Sequence, residues 1–162
     1  MNDADYSTCL WFDGQAEEAA RFYVDIFPNS KVGDVMRWGD VGPGPKGSVL
    51  TCEFELDGRP YFALNGGPQY QFTPAISLCV NCDTQAQIDH YWSRLLADGG
   101  KEQACGWLVD RYGVSWQIGP KMLPRLLKDR DTAKAGRVMA AMMKMVKLDI
   151  ATLERAAAGQ PG

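Results

Sequence analysis

An internal repeat constrains the fold of this chain more than any other feature. Residues 13–22 (DGQAEEAARF) and 83–92 (DTQAQIDHYW) share Asp-x-Gln-Ala and end in an aromatic residue, at an offset of 70 positions. Both segments lie where a predicted strand passes into a predicted helix, and both halves end in Gly-Pro after a strand (ALNGGP and WQIGP). Two short helices can look alike by chance. The same predicted order of strand, helix and three strands in both halves favours a tandem duplication.

The first half reads as one such unit. Residues 6–12 (YSTCLWF) are β-branched and aromatic, as is typical of a strand. The apolar residues of 15–27 fall on one helical face, Asp13 is placed to cap that helix, and Pro28 ends it. Three further strands are predicted in KVGDVMRW, SVLTCEFEL and RPYFAL, and the last two flank an Asp57-Gly58 hairpin signal.

The second half repeats the pattern. PAISLCVNC is a predicted strand, and Thr84 and Gln87 have the spacing of a capping box at the start of a helix. That helix ends at Gly99-Gly100, and short strands follow around KEQACGW, WLVD and VSWQIG. The glycine and proline content of GPGPKG (42–47) predicts a loop.

The last third of the chain predicts one continuous helix from Ala133. Its apolar residues repeat at spacings of four and three, close to the 3.5-residue period of a helix–helix seam: Met139, Met143, Val146, Ile150, Leu153 and Ala157. The expected partner is the body of the chain or a second subunit. The charge and methionine content also permit a calmodulin-type or membrane-surface helix, but nothing in the body favours either.

Charge and cysteine usage exclude several classes of protein. The net charge is −3, with a net −8 in residues 1–120 and +5 in 121–162, so the body offers no basic surface for nucleic acid. The basic tail is expected to dock on its own body or on a sister subunit. No apolar run approaches the roughly 18 residues of a membrane span, and the N-terminus lacks a signal-peptide layout. We therefore expect a cytoplasmic protein whose five cysteines are reduced thiols.

Two strand–helix–three-strand units in one chain resemble the vicinal oxygen chelate superfamily, which includes glyoxalases, extradiol dioxygenases and bleomycin-resistance proteins. Within it the chain is most similar to the PhnB-like group, often labelled 3-demethylubiquinone-9 3-methyltransferase. The resemblance rests on residues 10–32, 63–68, 76–100, 105–120 and 141–156. It implies an α+β fold of two tandem βαβββ modules (about 1–70 and 71–120) that form a cup-shaped mixed sheet. A helical tail over 121–162 and a homodimer complete the expectation.

In that superfamily, His and Glu side chains from the first and last strands of each module hold a metal. By position these fall near Thr8 and Asn65 in the first module, and near Ala75 or Ser77 and Gln117 in the second. Hydroxyl, amide and methyl groups are poor ligands for a divalent cation. The single histidine, His90, is expected on the exposed face of the second helix. The sequence therefore predicts no metal site and no cofactor.

Other candidates for chemistry have simpler interpretations. Cys79 and Cys82 have C-x-x-C spacing but point to opposite faces of a strand. Cys105 lacks a neighbour that would activate it. Asp110 either acts as a base or accepts hydrogen bonds from its own hairpin backbone. Glu53 and Glu55 share one strand face, so they are acid–base candidates if that face lines the cup and ordinary charged residues if it faces solvent.

Aromatic and amide side chains on the strands predict a small-molecule pocket. The predicted ligand contacts are Thr8, Phe12, Asn65, Ser77, Trp116 and Gln117. The leading hypothesis is a protein that binds an aromatic or amphipathic molecule without a metal. The alternatives are a lyase or isomerase, with or without a metal, and a protein whose role is assembly through the Met-rich helix. Methyl transfer is disfavoured because neither GPGPKG nor NGGP forms the glycine-rich strand-to-helix turn of an adenosyl-cofactor site. No catalytic residue is assigned.

Overall fold

The computed structural model describes residues 6–160. The chain divides into two compact units at the junction of Phe72 and Thr73. Each unit begins with a strand, a helix and three strands, which confirms the order that the repeat predicts. We call the four strands and helix of the first unit module one, those of the second unit module two, and residues 121–160 the tail.

Module one is a four-stranded mixed sheet with one helix. Its elements are β1 (Thr8–Phe12), α1 (Ala16–Ile26), β2 (Lys31–Arg37), β3 (Val49–Leu56) and β4 (Arg59–Asn65). The strand order is β1-β4-β3-β2, in which β1 runs parallel to β4 and the other pairs are antiparallel. The hairpin predicted at Asp57-Gly58 joins β3 to β4, and both residues adopt positive φ angles.

The core of module one lies between α1 and one face of its sheet. The buried residues of α1 include three alanines, which let the helix approach the strands closely, and Tyr23. The Tyr23 ring stacks on Phe54 of β3, which in turn stacks on Tyr61 of β4. Since alternate residues of a strand point to opposite faces, these contacts identify which residues of each strand face the helix.

The cap of α1 differs from the sequence prediction. The N-cap residue is Gln15 rather than Asp13, and the Gln15 side chain makes no capping hydrogen bond. Instead, the backbone N–H of Ala16 donates to Asn65 Oδ1 at 2.9 Å, and Asn65 Nδ2 donates to the carbonyl of Val49 at 3.1 Å. Asn65 at the end of β4 therefore satisfies the helix start from 49 residues away.

Module two repeats the topology with shorter outer strands. Its elements are β5 (Leu78–Cys82), α2 (Gln85–Leu96), β6 (Lys101–Glu102), β7 (Trp107–Val109) and β8 (Ser115–Pro120). The strand order is β5-β8-β7-β6, with β5 parallel to β8. The predicted capping box is confirmed: Thr84 Oγ1 accepts from the N–H of Gln87, and the Gln87 side chain accepts from the N–H of Thr84.

The tail is not one helix, so that prediction was wrong. It forms α3 (Leu123–Leu127), α4 (Thr132–Met142) and α5 (Ile150–Ala158), with an irregular segment over 143–149. Asp149 begins a new helix because its side chain accepts from the N–H of Thr152 at 2.7 Å. The three helices share a core, whose buried members are Leu123, Leu126, Val138, Leu148 and Leu153. None of the helices within residues 6–160 is long and apolar enough to cross a bilayer.

Candidate functional site

The best candidate site lies on the face of the module two sheet that points away from α2. Trp116 and Ile118 of β8 are buried, so by alternation Ser115, Gln117 and Gly119 point to the opposite face. On β7, Trp107 pairs with Gln117 and Val109 pairs with Ser115. We call this surface the helix-free face of module two. It combines one aromatic ring with a row of neutral polar groups.

Gln117 occupies the middle of this face. It pairs with Cys79 on β5 and with Trp107 on β7, and its Nε2 donates to Ser77 Oγ at 2.8 Å. Ser77 and Gln117 are thus brought together by the structure, as two of the six predicted ligand contacts. Both are half-buried. The hydrogen bond fixes the orientation of the amide and leaves its Oε1 as a neutral acceptor.

Ser115 is a site residue that the sequence reasoning missed. Its side chain is only 2% exposed, and its Oγ is buried without a hydrogen-bond partner among the described residues. A buried hydroxyl left in this state costs about 1–3 kcal/mol. The sequence does contain a clue to its position: Ser115 lies two residues before Gln117, so both side chains fall on one face of β8.

Trp116 and Asp110 form the structural centre of module two. Trp116 is 2% exposed, and its Nε1 donates to Asp110 Oδ2 at 2.8 Å. Asp110 Oδ1 accepts from the backbone N–H groups of Tyr112 and Val114 at 2.9 and 3.0 Å. The interpretation of Asp110 as a residue that organises its own hairpin is therefore confirmed. Trp116 lies in the core with almost no exposed surface, so the candidate site described here does not include it, and its role as a ligand contact stays a prediction.

The three candidates in module one also lie on the helix side of their sheet. Leu10 and Phe12 of β1 are buried against α1, and Thr8 shares their parity. Phe12 is 3% exposed and contacts the ring of Phe72. Asn65 uses both ends of its amide on the start of α1 and on Val49. Thr8, Phe12 and Asn65 therefore lie on the face opposite Cys9, Trp11 and Phe62, and their role as ligand contacts stays a prediction.

The strand registers show which residue of module one corresponds to Gln117. Cys79 of β5 pairs with Gln117, and Cys9 of β1, 70 positions earlier, pairs with Phe62. Phe62, rather than Asn65, is therefore the counterpart of Gln117. Aligning the two halves on their Gly-Pro pairs, after β4 and within β8, makes Asn65 the counterpart of Gln117. However, the segment between the hairpin glycine and the Gly-Pro pair is three residues longer in the first half than in the second. The hairpin glycines Gly58 and Gly113 give the correct alignment.

Acidic residues mark the helix-free face of module one. Cys52, Phe54 and Leu56 of β3 are buried against the helix, so Glu53 and Glu55 point the other way. Glu55 forms an ion pair with Lys31 at 3.3 Å. Glu53 pairs with Phe62 in the ladder, and a side chain at Gly33 would approach its Cβ to 3.2 Å. Carboxylate and aromatic groups therefore lie side by side on this face.

The cysteines behave as expected from strand alternation. Cys79 is exposed, whereas Cys82 is 1% exposed on the opposite face of β5. Burial raises the pKa of the Cys82 thiol to about 11, with the nearby Asp83 carboxylate adding to the effect. A thiol with such a pKa is almost entirely protonated at neutral pH and is a weak nucleophile. The C-x-x-C spacing therefore does not bring two reactive thiols together.

The strand positions at which the sequence resemblance places metal ligands do not offer a set of donors for an ion. The paired first-strand and last-strand residues on the helix-free faces are Cys9 with Phe62, and Cys79 with Gln117. Each pair offers one cysteine thiol and no imidazole or carboxylate, whereas a metal site in a protein uses three or four such donors. Within residues 6–160, no three His, Cys, Asp or Glu side chains are grouped so as to hold an ion. His90 is exposed on α2, where its ring contacts Tyr91.

Comparison with known proteins relates this geometry to a family. The family model described as 3-demethylubiquinone-9 3-methyltransferase matches residues 4–119. No functionally curated protein matches the chain. Among solved structures, the chain is similar to a PhnB protein from Bacillus cereus, described as a putative 3-demethylubiquinone-9 3-methyltransferase. The two are 35% identical with a TM-score of 0.66, over 72% of this chain and 99% of the other.

Two more distant structures share the fold. A protein from Pseudomonas aeruginosa is 19% identical with a TM-score of 0.59, over 73% of this chain and 98% of its own. The fosfomycin resistance protein FosX from Listeria monocytogenes is 15% identical with a TM-score of 0.56. That match covers 80% of this chain and 100% of FosX.

Proposed function

Because this chain belongs to the 3-demethylubiquinone-9 3-methyltransferase family, of the PhnB-like group, we propose that it binds a small molecule. The proposed ligand is neutral and aromatic, carries a carbonyl or amide group, and lies on the helix-free face of module two. Binding there needs no metal. Ser115, Gln117 and Ser77 contact the polar group of the ligand, and Trp107 contacts its ring.

The observation that carries this proposal is the state of Ser115. A hydroxyl that is 2% exposed and has no partner among the described residues is a free-energy cost that a binding site explains. Ser115 Oγ has almost no accessible surface, so in this proposal the side chains that cover it move aside when a ligand binds, and a ligand carbonyl then accepts the missing hydrogen bond. Beside it, the amide of Gln117 is already held by Ser77, so binding costs little further side-chain entropy.

The aromatic part of the proposed ligand follows from Trp107. This half-buried indole pairs directly with Gln117, so their Cβ atoms lie about 5 Å apart. Offset-stacked or edge-to-face contacts with another ring contribute about 0.5–1.5 kcal/mol beyond simple burial. Ser115, Gln117 and Trp107 are all neutral, which favours a neutral ligand in the middle of this face. Lys101 of β6 pairs with Val109 and is a basic group at the outer edge of the same face.

We propose metal-free binding because the side chains at Cys9, Phe62, Cys79 and Gln117 include neither an imidazole nor a carboxylate. Elemental analysis of the purified protein tests it directly. We expect less than a tenth of an equivalent of zinc, nickel or iron. A stoichiometric amount of any of these metals, retained through dialysis, would reject metal-free binding.

A second candidate function is a lyase or isomerase reaction on module one. Glu53 lies on the helix-free face beside Phe62, where a carboxylate could remove a proton from a bound substrate. Methyl transfer finds less support. The loop over 42–47 joins two antiparallel strands, and Gly66 and Gly67 follow β4 without leading into a helix, so neither forms a strand-to-helix turn for an adenosyl cofactor.

Calorimetric titration with benzamide tests the proposal, since benzamide combines a neutral amide with one ring. Ser115→Ala should weaken benzamide binding about five- to tenfold, the effect of one hydrogen bond. The same substitution should leave the free energy of unfolding unchanged or raise it, because it removes an unpartnered hydroxyl. Ser93→Ala, at an exposed hydroxyl on α2, is the matched control and should change neither quantity.

Two outcomes would reject the proposed function. One is equal benzamide affinity in wild type and Ser115→Ala. The other is a loss of stability in Ser115→Ala of more than about 1 kcal/mol, which would mean that the hydroxyl has a structural partner in solution.

A further inference from the structure

We infer that the tail supplies one wall of the proposed ligand site. In this wall Leu148 limits the size of the ligand, and Gln85 positions Leu148. This inference rests on the proposed function of module two. It concerns a segment beyond residue 119, where the match to the family model ends.

Leu148 fills a space that two glycines of module two leave open. A Cβ at Gly119 would lie 3.4 Å from Leu148 Cδ1, and a Cβ at Gly106 would lie 3.0 Å from the same atom. Leu148 itself is 2% exposed. In the register that relates the two modules, the counterpart of Gly119 is Leu64 of β4, since Trp11 pairs with Leu64 and Asn81 with Gly119. Module one therefore has a leucine in β4 at this position, whereas in module two the leucine side chain comes from the tail.

Leu148 borders the face that bears Gln117. Gly119 and Gln117 are two residues apart on β8 and point to the same face, which places them about 7 Å apart along the strand. A ligand contacting Gln117 and Ser115 that extends toward Gly119 meets Leu148 within that distance. The leucine is thus placed to set the length that the site accepts in this direction.

The segment that carries Leu148 is bonded to module two on both sides. The N–H groups of Cys105 and Gly106 donate to the carbonyls of Met145 and Val146, each at 2.8 Å. Gln85, at the start of α2, donates from Nε2 to the carbonyl of Leu148 at 3.1 Å and accepts at Oε1 from the N–H of Ile150 at 2.9 Å. One amide side chain therefore holds the backbone before and after Asp149.

Charge adds a further contact. Lys147 Nζ lies 2.5 Å from Asp89 Oδ1 on α2, and Gln85 Nε2 also donates to Asp89. One lysine of the basic tail is thus paired with the single acidic residue of α2. Both members of this ion pair are partly exposed, so the pair orients the segment more than it stabilises it.

Hydrogen exchange tests the docking without any ligand. In wild type, the amides of Cys105, Gly106 and Ile150 should exchange slowly because each donates to a tail or module two acceptor. Gln85→Ala should speed exchange of the Ile150 amide at least about tenfold. Gln87→Ala is the matched control, since that side chain bonds only the cap of its own helix. Equal exchange in Gln85→Ala and Gln87→Ala would overturn the positioning role.

Ligand size preference tests the wall. Calorimetry with benzamide and with the larger naphthalene carboxamide gives the ratio of the two affinities in each variant. Leu148→Ala should shift this ratio toward the naphthalene compound by about tenfold, as expected when a pocket gains the volume of a few methyl groups. Leu153→Ala, at an equally buried leucine of the same tail core, should leave the ratio within about twofold of wild type.

The outcomes separate this inference from the proposed function. Benzamide binding that is retained with an unchanged ratio in Leu148→Ala would overturn the wall alone. If Leu148→Ala fails to fold, Gln85→Ala provides the same ratio measurement with the leucine intact but released, and an unchanged ratio there would overturn the wall. Failure of wild type to bind either amide would overturn the proposed function, and the inference with it.

Discussion

The two modules share a backbone plan but differ in what their helix-free faces carry. In module one the central row reads Cys9, Phe62 and Glu53 across β1, β4 and β3. In module two the corresponding row reads Cys79, Gln117 and Trp107 across β5, β8 and β7. In module one the aromatic residue lies on the last strand and the polar residue on the strand before it, whereas in module two the order is reversed. The two modules therefore share the register of their strands and differ in the side chains that each helix-free face carries.

The modules also differ in how they secure their helices and hairpins. Module two uses local devices, the Thr84 capping box and the buried Asp110 carboxylate. Module one uses a remote one, the amide of Asn65, and its hairpin residue Asp57 is exposed. Substituting residues with corresponding roles in the two modules should therefore change the stability by different amounts. The largest difference should be between the hairpins.

Asp110→Asn should destabilise the protein by about 2–3 kcal/mol, because an amide cannot accept from the N–H groups of Tyr112 and Val114 and from Trp116 Nε1 at once. Asp57→Asn, the matched change in module one, should stay within about 0.5 kcal/mol, since asparagine tolerates the left-handed conformation at φ 49°. Urea unfolding of both variants gives the comparison. Equal losses would mean that the Asp110 bonds do not form in solution.

The helix caps provide the next contrast. Asn65→Ala should cost about 2 kcal/mol, because it removes the cap of α1 and the bond to the Val49 carbonyl. Thr84→Ala should cost about 1 kcal/mol, since the Gln87 side chain still bonds the N–H groups of Asp83 and Thr84. Thermal unfolding of the two variants is a sufficient measurement. A greater loss in Thr84→Ala would contradict the remote cap.

The fold was predictable because its signals are local and repeated. Strand alternation, the Asp57-Gly58 hairpin and the spacing of Thr84 and Gln87 each depend on a few neighbouring residues. The break in the tail was not predictable, because its apolar stripe continues through Met143 and Val146 without interruption. The interruption after α4 has tertiary contacts: the carbonyls of Met145 and Val146 accept from module two, and Gln85 holds the backbone on both sides of Asp149. Asp149 then caps α5 locally.

The site was only half predictable, for a reason of alignment. Anchoring the two halves on their Gly-Pro pairs selected Asn65, whereas anchoring on the hairpin glycines selects Phe62. Parity could have been checked from the sequence: Leu10 and Phe12 alternate with Cys9 and Trp11, and only one set can face the helix. Ser115 was overlooked because a serine after a turn reads as part of that turn. Its burial is a property of the packed structure.

The tail gives a prediction about assembly. Met139, Met143 and Val146 are 41%, 67% and 45% exposed, and we expect a second copy to cover them in a homodimer. Val146→Asp should weaken that dimer at least tenfold, about 1.4 kcal/mol, without unfolding the monomer. Val41→Asp, at an exposed valine of module one, is the control. Sedimentation of wild type as a monomer at micromolar concentration would refute the dimer.

The smallest contrast concerns helix charge. Glu17 of α1 bonds Arg21 and Arg37, and chiefly the Arg21 hydrogen bond lowers the pKa of its carboxyl. Its counterpart in α2 is the neutral Gln87. A lowered folded-state pKa contributes stability above the unfolded pKa of Glu, which is lost as the pH falls through the folded value. In Glu17→Gln the free energy of unfolding should no longer fall with the titration of this carboxyl at acid pH. At neutral pH the substitution should lower the free energy of unfolding by less than about 0.5 kcal/mol, because solvent screens the group. An unchanged stability profile between pH 5 and 3 in Glu17→Gln would contradict it.

The most direct test of the central claim follows the side-chain amide of Gln117 by nitrogen-15 NMR during titration with benzamide. The account predicts that this amide and the backbone amides of Ser77 and Ser115 show the largest shifts, and that Ser115→Ala reduces them. Shifts confined to residues of module one, or none at saturating benzamide, would contradict it.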